Sequence, residues 1–264
     1  MLGALAALCS AAPAAARPVV AIIDGGVAKT PELQPLLRAE YDMAATPPRA
    51  TFHPSSDHGT MVATIFARAS KGAADIVSLR IDDPAGCPVG RPAPCQGAAA
   101  PVAAAIRKAV SLGVDAINIS LALKDDPAIV AAIHDAAQHG IAVVMAAGNH
   151  GLDRPDNLAM ARAGFPTSVL VGALQANGQP WDETNRPLAG ATKGYNYVWR
   201  LGVNVPGRTA AGVPATGTGT SFAVPIETAR LIMKLAPAEA VAKPPAPVPT
   251  APVATAAEQK PTAS

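Results

Sequence analysis

Val19-Val20-Ala21-Ile22-Ile23-Asp24-Gly25-Gly26-Val27 sets five apolar residues in an unbroken run, then a carboxylate, then two glycines. A strand exposed on one face alternates polar with apolar residues, whereas a strand covered on both faces does not. The run therefore predicts a buried parallel strand with an acid at its carboxyl end and a turn after it. Three more runs read the same way, Val114 to Leu121, Ile141 to Ala147 and Val169 to Leu174, and Asp75 to Ile81 is a weaker fifth. Between them lie helical patterns. Pro101 to Leu112 opens with a proline suited to a first turn and stops at Gly113. In Asp126 to Gln138, Asp126 caps, Pro127 opens and Gly140 terminates. Strands alternating with helices predict an α/β fold: a three-layer, open, mostly parallel sheet with helices on both faces. In such sheets functional groups gather at the carboxyl ends of the strands.

Composition bounds the rest. The chain has 264 residues, 50% of them apolar, enough for one sizeable core. With 3% aromatic residues, that core must be filled by small side chains in close element-to-element packing. A net charge of +2, with both signs interspersed, gives no electrostatic footing for nucleic acid or an anionic membrane surface. Residues 1–16 read as a secretory signal peptide: an apolar run from Leu2 to Cys9, then small residues with a cut after Ala16, although no basic residue follows Met1. The run is too short to span a bilayer. Cys9 raises a lipid anchor, which the bulky Leu8 before it disfavours. Residues 18–236 form the folded body. Residues 237–264, rich in proline and alanine, cannot bury a core and read as a disordered tail. Loss of the leader leaves Cys87 and Cys95, an even pair that an oxidising compartment would join, with two free cysteines of a surface loop as the alternative. No second pair at ligand spacing supports zinc. No metal and no cofactor are expected.

Three segments carry candidate chemistry. Asp24 at its strand end is one, and nucleotide-binding folds and response regulators also place an acid there. A P-loop is excluded because its glycine–lysine pattern is absent. The second is Asp57-His58-Gly59-Thr60, where a histidine opens an apolar helix and glycine permits close backbone approach. Of the other histidines, His53, His134 and His139 have no comparable context, and His150 adjoins Asn149 at a site rim or on plain surface. The third is Gly217-Thr218-Gly219-Thr220-Ser221, a glycine-rich turn that delivers a serine to the start of a helix running to about Leu235. Free backbone N–H groups there favour developing negative charge, while an ordinary N-cap is the structural alternative.

Taken together, Ile23-Asp24-Gly25-Gly26-Val27, His58-Gly59-Thr60, Ala146-Ala147-Gly148-Asn149 and Gly219-Thr220-Ser221 resemble the subtilisin-like serine peptidases, the subtilases, in that family's Asp, His, Ser order. The resemblance implies a secreted serine endopeptidase with Asp24, His58 and Ser221 as its triad and Asn149 in the oxyanion hole. It also implies that an extended peptide pairs beside Ser120, Leu121 and Ala122. Ala146, Ala147 and Gly148 would wall the pocket for the residue preceding the cut, their small side chains leaving room for a large apolar group. The partners implied are polypeptides, met by a monomer without stable membrane insertion. Met61 departs from the family's second histidine, and Phe222-Ala223-Val224-Pro225 from its Met-Ala-Thr-Pro. Gly25 replaces a Ser or Thr, and Ala122 a glycine. The helix of His58 runs on without the calcium-binding loop of well-known members, and Asp24 stands too near the amino terminus for a folding propeptide. Two other readings compete: a subtilase-like binding protein without efficient turnover, and a nucleotide-binding domain, which leaves Asn149 and Gly219-Thr220-Ser221 without a purpose.

Overall fold

A computed structural model describes residues 16–90, 93–189 and 194–235. The leader expected over 1–16 lies outside them but for its last residue, and the tail over 237–264 lies outside them entirely.

The chain forms β1 (Val19–Asp24), β2 (Leu37–Asp42), α1 (His58–Ala69), β3 (Asp75–Arg80), α2 (Ala99–Ser111), β4 (Ala116–Ile119) and α3 (Pro127–Gln138). There follow β5 (Ala142–Ala146), α4 (Leu158–Ala163), β6 (Ser168–Leu174), β7 (Asn196–Leu201), β8 (Val205–Arg208), β9 (Pro214–Gly217) and α5 (Thr220–Leu235). Seven strands make one sheet in the order β2-β3-β1-β4-β5-β6-β7, and every pairing is parallel. β8 and β9 form a separate antiparallel hairpin.

Alternate residues of β1 serve opposite layers. Ala21 and Ile23 pack with α2, α3 and α4, for example on Val102, Ile106 and Ile133. Val20 and Ile22 pack with α1 and α5, among them Val62, Phe66, Ala229 and Ile232. Both sets are fully buried, as a strand with no polar alternation requires. The facing helices carry Ala103, Ala105, Ala109, Ala132 and Ala136, all essentially buried, so they lie close to the sheet. Few aromatics are needed to fill so thin a gap.

All five apolar runs are strands, Asp75 to Ile81 included. The expected cap of α3 is present: the Asp126 carboxylate accepts from the Ala128 N–H at 2.8 Å, with Pro127 opening the helix. β2 and β7 escape the sequence criterion because they are edge strands, only part buried, and written with polar residues (Leu-Arg-Ala-Glu-Tyr-Asp and Asn-Tyr-Val-Trp-Arg-Leu). β7 is anchored to α5 by Arg200, which pairs with the buried Glu227, itself also bound by Arg230.

The strand order reverses about β1. The chain runs outward to β2, returns through β3, crosses β1 by way of α2, and then adds β4 to β7 in sequence. The carboxyl ends of β1, β4 and β5 are thus neighbours at the point where open α/β sheets bind ligands.

Candidate active site

Asp24 is the last residue of β1 and 1% exposed. Its Oδ1 accepts from the Gly25 N–H at 2.8 Å. His58, the first residue of α1, places Nδ1 2.9 Å from Oδ1 and 3.0 Å from Oδ2 of Asp24. Gly59 makes this approach possible. A Cβ there would collide with the Gly26 carbonyl oxygen and lie 3.1 Å from Asp24 Oδ1. Burial of the His58 ring pushes its pKa down, but the charge and hydrogen bond of Asp24 outweigh this and hold it above the ordinary 6.5. Behind the pair, the buried Glu40 accepts from the N–H groups of Val27 (3.0 Å) and Phe52 (2.7 Å) and from the Ser78 hydroxyl (2.7 Å). That clamp fixes the turn leaving Asp24.

Gly25 has a local reason. A Cβ there would lie 2.9 Å from the Pro94 Cβ and 3.2 Å from the Ser56 Oγ. Pro94 belongs to the loop closed by the Cys87–Cys95 disulfide, which therefore packs over the Asp24 turn. The space of a hydroxyl-bearing side chain is filled by this loop.

Ser221 is the second residue of α5 and 9% exposed. The neighbouring Phe222 ring packs at 5.4 Å, centroid to centroid, on the His58 ring. Among the described residues no hydrogen bond joins His58 to Ser221. Asp24 and His58 are thus brought into direct contact, and Ser221 lies beside them on the helix that packs against α1. Pro225, lacking an N–H, leaves the Ser221 carbonyl without its usual donor within the helix.

Asn149 is exposed at the turn after β5. Its Oδ1 accepts from the backbone N–H (2.8 Å) and hydroxyl (2.9 Å) of Thr220, whose Oγ1 in turn accepts from the Gly148 N–H at 3.1 Å. With the carbonyl side of the amide so committed, Nδ2 is the free donor. It lies 3.0 Å from where a Cβ on Gly219 would stand, and Gly219 has φ +143°. Thr220 belongs to the serine motif, but its grip on Asn149 leaves no signal in the sequence. No local pattern links residues 71 apart in sequence.

Of the expected substrate residues only Ala122 lines a cleft of about 420 Å³. Ala122 and Leu123 form one side, and His150 with residues 155–160 the other. Ser120, Leu121, Ala146, Ala147 and Gly148 are buried and do not line it. Asn157, at φ +59°, ties the walls together: Nδ2 donates to the carbonyls of Leu121 (2.8 Å) and Ala146 (2.9 Å), and Oδ1 accepts from the Leu123 N–H (2.7 Å). Asn185 shapes the other side by accepting from the N–H groups of His150 (3.0 Å) and Leu152 (3.1 Å). Neither asparagine is legible in the sequence, since a lone Asn in a loop carries no signal of such bonding. Ala122 is exposed, and its carbonyl accepts from the Gln96 side chain at 3.1 Å.

Comparison with known proteins follows the same lines. The subtilase family model matches residues 16–233. Subtilisin amylosacchariticus from Bacillus subtilis subsp. amylosacchariticus and subtilisin J from Geobacillus stearothermophilus are each 26% identical over 216 residues, covering 78% of this chain and 52% of the relative. The chain thus spans about half the length of these curated relatives. A mutant of the protease domain of PatA superposes with a TM-score of 0.67 at 26% identity, covering 83% of this chain and 79% of that one. A cold adapted subtilisin-like serine proteinase gives 0.66 at 20% identity over 82% and 74%, a likeness of fold. By its sequence and its fold, the chain belongs to the subtilase family.

Proposed function

We propose that this protein is an exported serine endopeptidase that cleaves polypeptides through an acyl-enzyme on Ser221. The observation that carries the reading is the Asp24–His58 hydrogen bond, set at a strand end beside the amino terminus of α5. A serine hydroxyl is a poor nucleophile at neutral pH, so His58 takes its proton as Ser221 Oγ attacks the peptide carbonyl. Asp24 holds Nδ1 protonated, leaving Nε2 as the base, and stabilises the imidazolium formed. Negative charge collects on the former carbonyl oxygen, where Asn149 Nδ2 and the backbone N–H of Ser221 receive it. The imidazolium then gives its proton to the departing amine. Water repeats the sequence on the ester, releasing the acid and restoring Ser221.

The missing His58–Ser221 hydrogen bond is the one feature that favours the competing binding-protein reading. Such bonds are often long in free enzymes and tighten when substrate arrives. Export is supported by the Cys87–Cys95 disulfide. No helix among the described residues is long and apolar enough to cross a membrane.

The test is hydrolysis of a denatured protein such as casein by purified protein, with Ser221→Ala and His58→Ala alongside. Cleavage by the native chain and its loss in both variants supports the proposal. Folded native protein that releases no peptides contradicts it.

A further inference from the structure

The cleft between Ala122 and residues 155–160 has a charge arrangement that the catalytic machinery does not use. Pro155, Asn157, Leu158 and Met160 are buried and make its floor, whereas Asp125, His150 and Arg154 stand exposed on its rim. Asp156 alone puts an ionisable group at depth, its side chain 27% exposed against 64% for His150. Its backbone is fixed, since the Asp156 N–H donates to the Ala147 carbonyl at 2.7 Å. Its Oδ2 is sealed from solvent and accepts no hydrogen bond. No bond from any described residue reaches the other oxygen. The nearest ring nitrogen is His150 Nδ1, 3.6 Å from Oδ2 and beyond hydrogen-bond range. Burial raises the carboxyl pKa, and the charges of His150 and Arg154 offset this only in part.

Oδ2 faces inward against Gly148 and the Asn185 amide, so the oxygen a ligand can reach is Oδ1, which accepts from no described residue and is open to a donor that a ligand brings. Position says which part of a ligand this is. A Cβ on Gly148 would collide with Asp156 Oδ2, so the carboxylate abuts the residue before Asn149. In the proposed mechanism Asn149 holds the oxygen of the carbonyl under attack. The side chain that enters the cleft is therefore that of the residue supplying this carbonyl. About 420 Å³ accommodates one long side chain, with apolar lining from Leu123, Leu158 and Met160 for its stem. Lysine and arginine combine such a stem with a charged head.

We propose that this cleft selects lysine or arginine immediately before the scissile bond, with Asp156 as the counter-ion. The inference rests on the hydrolase reading and replaces the large apolar side chain that small wall residues suggested.

Two measurements separate this proposal from the reading beneath it. The first compares kcat/KM for peptidyl-aminomethylcoumarins ending in Arg, Lys, Phe or Leu, in native protein and in Asp156→Asn. The expectation is a basic-over-Phe ratio of about tenfold or more in the native protein, falling at least about tenfold in the variant. Because the ratio is the readout, a general loss of activity in the variant cancels. The second is fluorescence anisotropy of fluorescein-labelled peptides with Arg or Phe carboxamide ends on Ser221→Ala, which reads pocket preference without turnover. Tighter binding of the Arg peptide is expected. Failure of casein hydrolysis would count against the hydrolase alone. Equal or better binding and cleavage of the Phe peptides, or a ratio unmoved by Asp156→Asn, would overturn the cationic pocket.

Discussion

At the scale of single residues, the site depends on a few side chains whose orientation is settled by others. The role proposed for Asn149 requires its amide nitrogen to face the reacting carbonyl, and Thr220 favours this by occupying Oδ1 twice. Asn149→Ala should lower kcat by about 10²–10³-fold with little change in KM, read by steady-state kinetics. Thr220→Val, which keeps the backbone donor and loses the hydroxyl, should cost less. In the proposed mechanism His58 is the base and must be neutral to act, so activity should rise with pH through a pKa held above 6.5 by Asp24. Asp24→Asn removes the negative charge and the carboxylate hydrogen bond that raise that pKa. Its pH profile should shift toward lower pH while kcat falls about 10⁴-fold. The stability linkage runs the other way. The folded state favours protonated His58, so this contribution is full below about 6.5 and is lost as pH rises through the raised value.

At the scale of elements, legibility followed burial. β1, β3, β4, β5 and β6 are covered on both faces and announce themselves as apolar runs, whereas β2 and β7 have one neighbour each and mix charges into half-buried positions. α3 was legible from its cap, and Asp126→Ala should destabilise the fold by about 1 kcal/mol in urea titration without touching activity. The cleft was less legible, because its walls are held by the Asn157 side chain rather than by regular backbone pairing. Asn157→Ala removes donors from two buried carbonyls and an acceptor from the Leu123 N–H. It should raise KM for peptides more than it lowers kcat, and cost about 1–3 kcal/mol of stability.

At the scale of the whole molecule, one fold gathers residues from distant parts of the chain. Asp24, His58, Asn149 and Ser221 can be proposed from sequence because each sits in a short motif at an element boundary. The bonds among them cannot, since they depend on how β1, β5, α1 and α5 are packed. The disulfide belongs to this scale too. It closes a loop of sequence separation 8 that lies over the Asp24 turn. A chain-entropy estimate for so short a loop is about 2–3 kcal/mol, so paired Cys87→Ser and Cys95→Ser should lower Tm measurably. The proposed chemistry requires activation of Ser221 by a histidine that Asp24 holds in place. An uncharged fluorophosphonate tests this directly, with the rate followed against pH and the modified residue located by mass spectrometry. A single adduct on Ser221 is expected, formed faster as His58 loses its proton and at least about a hundredfold slower in His58→Ala. Folded protein that stays unlabelled, or is labelled at the same rate without His58, would contradict it.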